Sequence, residues 1–168
     1  MKLFFLSQSL LALAIMLIVS GCVDKDKVSN YPKQIERLKE EFVRLQVFPD
    51  QIPSSAESVY YLMDRGGMGQ GALILRLGYM LPTDEFDLLV KQLEGNFAES
   101  TPSKVNRFLF GRFPLEPYDE GQLIPRDFRV FLVETELTQI RENPNHNQLC
   151  VIAVSEERRT VAYLFDSW

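Results

Sequence analysis

The chain has 168 residues, of which 46% are hydrophobic and 24% are charged. It carries 18 Lys and Arg against 23 Asp and Glu, so its formal net charge is −5 and its pI is about 5.0. With one His and two Cys in addition, this composition excludes a basic nucleic-acid-binding domain, a zinc finger, a disulfide-stapled miniprotein and a low-complexity disordered chain.

Residues 1–21 predict a secretory leader. Lys2 is followed by no other charged residue before Asp24, and residues 10–19 are ten consecutive apolar residues. A basic start, a short apolar core and small residues at its end are typical of a secretory signal peptide. The alternatives are a plain signal peptide without lipid and an uncleaved membrane anchor, because residues 3–19 approach the length of about 17–25 residues that crosses a bilayer.

The end of this leader is more specific. Val19-Ser20-Gly21-Cys22 resembles the lipobox of bacterial lipoproteins, in which an aliphatic residue and two small residues precede an obligatory Cys. The resemblance implies that a peptidase cleaves between Gly21 and Cys22, and that Cys22 carries a diacylglycerol on its sulfur and becomes the acylated N-terminus. Val23 follows in place of the Asp that retains enteric lipoproteins in the inner membrane, so the resemblance implies the outer membrane, facing the periplasm.

The predicted mature chain has a simple organisation. Removal of residues 1–21 leaves 147 residues with a side-chain charge of −6, because Lys2 is the only charged residue lost. We expect residues 22–30 to carry the lipid and form a short polar tether, and residues 31–168 to form one globular domain. An acidic domain is repelled by anionic lipid and by nucleic acid, so the lipid on Cys22 is the expected contact with the membrane.

Helical spacing predicts two helices. The first covers residues 31–45, where one face repeats apolar residues: Tyr31, Ile35, Leu38, Phe42 and Leu45. The second begins at Thr83 and ends at Gly95, and its buried stripe comprises Phe86, Leu89, Val90 and Leu93.

Residues rich in branched and aromatic side chains predict six strands. They cover residues 58–64, 72–79, 105–110, 128–134, 149–154 and 160–165. The last two flank residues 155–159 and predict a hairpin, and the apolar run 149–154 predicts a central strand covered on both faces. We therefore expect an α+β fold with a mostly antiparallel sheet of about six strands and two helices packed on one face. The alternative is a β-rich sandwich with peripheral helices.

Three patterns in the sequence contain residue types that occur in catalytic or ligand-binding sites. The glycine-rich residues 66–71 precede a predicted strand rather than a helix, which favours a hairpin tip over a phosphate-binding loop. His146 is the only imidazole and lies in a polar turn-forming run, while Cys150 is expected in the core. Glu134 and Glu136 would point the same way on one strand, and Arg107 and Arg129, on two different strands, would do so if the registers of those strands match. We expect no catalytic residue, metal or cofactor from these patterns.

The long connection 113–127 is the best candidate for binding a partner. It contains three prolines and the four residues that we predict to contact the partner, Glu116, Tyr118, Asp119 and Glu120. Proline lowers the entropic cost of ordering a loop, and Tyr beside acidic residues suits a basic protein surface. We expect a non-catalytic binding module for a protein or envelope component, in one form an inhibitor or immunity module. The alternatives are an envelope hydrolase and a structural lipoprotein of envelope assembly.

Overall fold

The computed structural model describes residues 28–65, 72–109, 124–133 and 148–168. Within these ranges the strands form one antiparallel sheet of six strands in the order β1-β2-β6-β5-β4-β3. The strands are β1 Glu57–Arg65, β2 Leu73–Met80, β3 Ala98–Ser100, β4 Arg129–Leu132, β5 Gln148–Ser155 and β6 Thr160–Ser167. The helices are α1 Tyr31–Glu41, α2 Thr83–Asn96 and the single-turn α3 Pro102–Val105. This arrangement confirms the predicted α+β fold.

Helices α1 and α2 pack on the same face of the sheet. Their buried residues share one core with side chains of five strands, including Tyr61 of β1, Leu75 of β2 and Phe165 of β6. Two aromatic rings that follow α1 pack against the central strand β6. The ring centroids of Phe42 and Phe165 are 5.2 Å apart, and those of Phe48 and Tyr163 are 5.3 Å apart. The predicted packing of two helices on one face is therefore observed in the described ranges.

The sheet is covered on its other face as well. A second core joins alternate residues of β4, β5 and β6 to residues 105–109 and 124–128, and half-buried Trp168 packs against it. Strands β5 and β6 lie at the centre of the sheet, and β5 is buried from Leu149 to Ser155. The prediction of a central strand and a hairpin at residues 149–165 is confirmed, because an apolar run without alternation requires cover on both faces.

The first helix is shorter than predicted. It ends at Glu41, where Phe42 adopts an extended conformation (φ −129°, ψ 104°), and a 3₁₀ turn follows over Val43–Val47. Leu45 is nevertheless buried, as its position in the apolar stripe indicated. Because the chain changes direction at Phe42, the side chains of Leu45 and Phe48 reach the core between the helices and the sheet.

The second helix is slightly longer than predicted. It begins at Thr83 and continues through Gly95 to Asn96, so Gly95 lies within the helix and does not end it. Phe86, Val90 and Leu93 face the core, and Leu89 is half-buried.

The strand predicted over residues 105–110 is wrong where the structure describes it. Pro102 occupies the first turn of α3, and the chain then turns through residues 106–108. The side chain of Asn106 donates to the Ile124 carbonyl at 3.0 Å and accepts from the Ile124 N–H at 2.9 Å, which holds this turn in place. The edge strand β3, residues 98–100, was not predicted and pairs with β4.

Candidate functional site

A groove of about 420 Å³ lies between α2 and the turn joining β5 to β6, residues 156–159. Its inner wall includes the buried side chains of Phe86 and Val90. The polar lining comes from both elements and comprises Thr83, Asp87, Lys91, Glu94, Glu156, Glu157 and Arg159. We call this feature the acidic groove.

An ion-pair network adjoins the acidic groove. The guanidinium of Arg129 binds Glu99 through two hydrogen bonds, with Nη2 2.8 Å from Oε2 and Nε 3.1 Å from Oε1. Its Nη1 lies 2.8 Å from Oε1 of Glu94 and 3.3 Å from Oε1 of Glu156. The guanidinium also lies over the ring of Phe131, 5.4 Å from its centroid. Two residues that line the groove are thus fixed by a single arginine, and we call these four charged residues the Arg129 network.

Arg129 and Glu99 influence each other's ionisation. The hydrogen bonds that Arg129 donates lower the pKa of Glu99, and donating to Glu99 and Glu94 raises the pKa of Arg129 above its usual value. Among the described residues, the groove and the network together hold five carboxylates against three cations, the cations being Lys91, Arg129 and Arg159. A net negative charge therefore remains after the internal pairs are formed.

The turn that carries Glu156 and Glu157 is held from two sides. The N–H of Leu81 at the end of β2 donates to the Arg159 carbonyl at 3.0 Å. The hydroxyl of Ser155 donates to Asp127 at 3.1 Å and accepts from the Arg158 N–H at 3.4 Å, while Nε of Arg158 lies 3.1 Å from the Asp127 carboxylate. These contacts keep the acidic side of the turn facing α2.

The carboxylates of the Arg129 network are arranged around a guanidinium group. Within the described ranges, no group of three or more His, Cys, Asp or Glu is placed so that it could hold a metal ion. The acids of the Arg129 network are spaced instead around a planar guanidinium, whose fork of N–H donors reaches several carboxylates at once.

Most of the predicted site residues lie outside the described residues. This holds for Gly21 and Cys22, for the glycine-rich residues 66–71, and for the candidate loop residues Glu116, Tyr118, Asp119 and Glu120. It holds equally for Glu134, Glu136 and His146. Their assignments therefore stay predictions.

Cys150 is described and lies in the core. It is completely buried in β5, and its thiol donates to the Arg44 carbonyl at 3.5 Å. The guanidinium of Arg44 in turn donates to the Gln148 carbonyl at 2.6 Å, which ties the turn after α1 to the start of β5. Buried among apolar residues, this thiol has a structural role.

The structure does not place Arg107 and Arg129 on paired strands. Arg107 lies in the turn after α3, where its Nε donates to the Lys104 carbonyl at 3.1 Å. Arg129 lies on β4 and faces the acids of the network. The condition of matching strand registers is not met, because residues 105–109 are not a strand.

Comparison with protein-family models, with curated proteins and with solved structures finds no match for this chain. In the part of the chain that the structure describes, no helix is both long enough and apolar enough to cross a membrane.

Proposed function

We propose that this chain is a bacterial envelope lipoprotein, anchored by lipid on Cys22, whose acidic domain binds a protein partner with a basic surface and does not act as a catalyst. The observation that carries the binding proposal is the surplus of carboxylates over cations around the acidic groove. A surface whose net charge has one sign raises the local concentration of oppositely charged partners and speeds their association.

The anchoring half of the proposal is supported by the resemblance of residues 19–22 to a lipobox. One acyl chain binds a membrane only marginally, whereas two or three chains hold a protein there almost permanently. The nine residues 22–30 can span at most about 30 Å when fully extended. A partner bound by this domain would therefore be held close to the membrane surface.

The Arg129 network beside the acidic groove suits binding better than hydrolysis. A glycoside hydrolase needs one carboxyl group that stays protonated to serve as general acid. The guanidinium of Arg129 acts in the opposite direction on Glu99, because it lowers the pKa of that carboxyl. An ionised, hydrogen-bonded carboxylate is what a surface that pairs with Arg or Lys requires. A basic enzyme that attacks the envelope is a partner of this kind, which would make the chain an inhibitor or immunity module.

The experiment is capture followed by reconstitution with the full chain, so that residues 113–127 are included. The chain is immobilised in a mild detergent and exposed to an envelope extract at low salt, and the captured protein is purified and titrated against the chain by calorimetry. We expect a basic protein that binds in a fixed stoichiometry and whose affinity falls as salt rises from about 0.05 to about 0.3 M. A captured partner without a basic surface, binding that is insensitive to salt, or no partner at all contradicts the proposal.

A further inference from the structure

We propose that the buried ion pair between Arg76 and Asp166 sets the register in which β2 pairs with β6, and thereby aligns the elements that follow and precede these strands. The two side chains are almost completely buried and are the only charged residues of β2 and β6. A buried charge that loses its partner is strongly unfavourable, so such a pair discriminates between strand alignments that apolar side chains alone would tolerate. This role does not depend on the lipid or on the proposed partner.

The connection between β2 and β6 does not determine how they pair. β5 and β6 are joined by the four residues 156–159, whereas β2 ends at Met80 and β6 begins only at Thr160. In a hairpin the type and length of the turn fix which residues lie opposite each other, but strands far apart in the sequence lack this constraint. The register of β2 with β6 therefore comes from contacts made within the folded sheet.

The apolar pattern of the two strands discriminates weakly between registers. β2 reads LILRLGYM and β6 reads TVAYLFDS, so each strand has apolar residues on both faces. β6 contributes alternate residues to both described cores, and β2 is buried over most of its length. A slip of one or two residues would therefore still leave apolar side chains in contact with apolar side chains.

The ion pair distinguishes these registers because it requires both side chains on one face of the sheet. Arg76 lies opposite Leu164, so Asp166 is its diagonal neighbour on the same face. A slip of one residue in either direction would put Arg76 and Asp166 on opposite faces. A slip of two residues that brings Ala162 opposite Arg76 would put Asp166 four positions away, about 14 Å along the strand. Each of these registers would bury two separated charges.

The slip of two residues in the other direction is the one that keeps the ion pair, because it brings Asp166 directly opposite Arg76. A second polar contact opposes this register. The N–H of Leu73 donates to the hydroxyl of Ser167 at 3.1 Å. The slip would move Ser167 about 7 Å past Leu73 and break this bond. The ion pair and this hydrogen bond together leave the observed register as the one that satisfies both.

The register affects the surface because the two walls of the acidic groove adjoin these strands. α2 begins at Thr83, three residues after β2 ends at Met80. The turn 156–159 leads directly into Thr160, which lies opposite Met80. A slip of two residues would move this turn by about 7 Å relative to α2. Arg76 and Asp166 therefore align the groove although neither residue lines it.

The test compares the full chain in detergent with the double variant Arg76→Met and Asp166→Leu, which replaces the pair by apolar residues. Short distances between backbone protons of paired residues, measured by NMR on isotope-labelled chain, report the register. In the wild-type chain we expect one set of signals, with Leu75 next to Phe165. In the double variant we expect a folded chain in which slipped registers rise at least about tenfold, from under about 1% to about 10% or more. The new signals should show contacts shifted by one or two residues.

A matched control separates the loss of the charge pair from a general loss of packing. Leu75→Met with Phe165→Leu changes two buried residues that lie directly opposite each other in the same strands. This control should lose stability and keep one register, because its ion pair is intact. Slipped registers in the control, or one native register in the double variant Arg76→Met and Asp166→Leu, overturns the inference. Failure of that double variant to fold also overturns it, because the pair would then supply stability rather than register.

Discussion

Arg76 and Asp166 form an ion pair inside the sheet, with Nη1 of Arg76 2.5 Å from Oδ1 of Asp166 and side chains 1% and 0% exposed. Nη1 also donates to the carbonyls of Leu75 and Phe165, each at 3.0 Å. The pair joins β2 to the central strand β6 diagonally, because Asp166 lies opposite Ile74 in the register. A buried pair adds little net stability relative to apolar residues, but the loss of one partner leaves the other charge uncompensated.

Asp166→Ala should therefore lower the free energy of unfolding by about 3–5 kcal/mol. The double variant Arg76→Met with Asp166→Leu should be less destabilised than Asp166→Ala, because no buried charge is left behind. Urea unfolding of the three proteins measures both differences. If the double variant is as unstable as Asp166→Ala, the ion pair does not explain the cost.

Replacing Glu99 by Gln should reduce the loss of unfolding free energy that the chain shows as the pH falls below about 4.5. Arg129 lowers the pKa of Glu99 in the folded chain, so this pair contributes stability above the unfolded value near 4.5 and loses it as the pH falls through the folded pKa. The contribution is within about 1 kcal/mol, because the side chain of Glu99 is half-exposed.

The measurement for Glu99→Gln is the free energy of unfolding at several pH values on either side of 4.5. The wild-type chain should lose more stability toward acid than Glu99→Gln. Glu40→Gln, at an exposed position of α1, serves as the control and should follow the wild-type profile. A Glu99→Gln profile parallel to that of the wild-type chain would argue against the pairing of Glu99 with Arg129.

Gly95→Ala should stabilise the chain by about 0.5–1 kcal/mol. Gly95 lies within α2, and a Cβ built on it would meet no atom within 4 Å. Alanine restricts the unfolded chain and favours the helix at no steric cost. Thermal or urea unfolding measures the gain, and a destabilised variant would show that α2 ends before this residue.

Thiol counting examines Cys150 and the lipid proposal together. Cys150 is completely buried, so a thiol reagent should not react with the native chain. After denaturation one thiol should react if the sulfur of Cys22 carries a thioether-linked diacylglycerol, and two should react if it does not. Rapid reaction of the native Cys22→Ala chain, in which Cys150 is the only cysteine, would contradict the burial of Cys150. Two reactive thiols after denaturation of the wild-type chain would contradict the modification of Cys22.

Local patterns were sufficient to predict much of this fold. The spacing of Tyr31, Ile35 and Leu38 identified the buried face of α1, and the unbroken apolar run in β5 identified a central strand. The features that local patterns did not predict depend on contacts between residues that are distant in the sequence. The turn after α3 is held by Asn106 and Ile124, which lie 18 residues apart, and no periodicity indicates such a contact.

The acidic groove was beyond prediction for the same reason. Asp84 and Glu85 in the first turn of α2 interact favourably with the helix N-terminus, so their pattern alone indicates no binding site. Glu94, Glu99 and Glu156 come from three separate elements and meet only when β3, β4 and β5 are paired around Arg129. Arg76 likewise lies in a strand of apolar residues, and only the position of Asp166 on β6 accounts for its burial.

The proposal with the widest consequences is that a lipid on Cys22 holds this acidic domain at a bacterial membrane. Its most direct test is mass spectrometry of the N-terminal peptide from chain expressed in bacteria and recovered with the membrane fraction, beside a Cys22→Ala control. We predict a peptide that begins at Cys22 and carries the mass of a diacylglyceryl group, with no such peptide from the control. A chain that retains residues 1–21, or one that begins at any residue other than Cys22, would contradict the account.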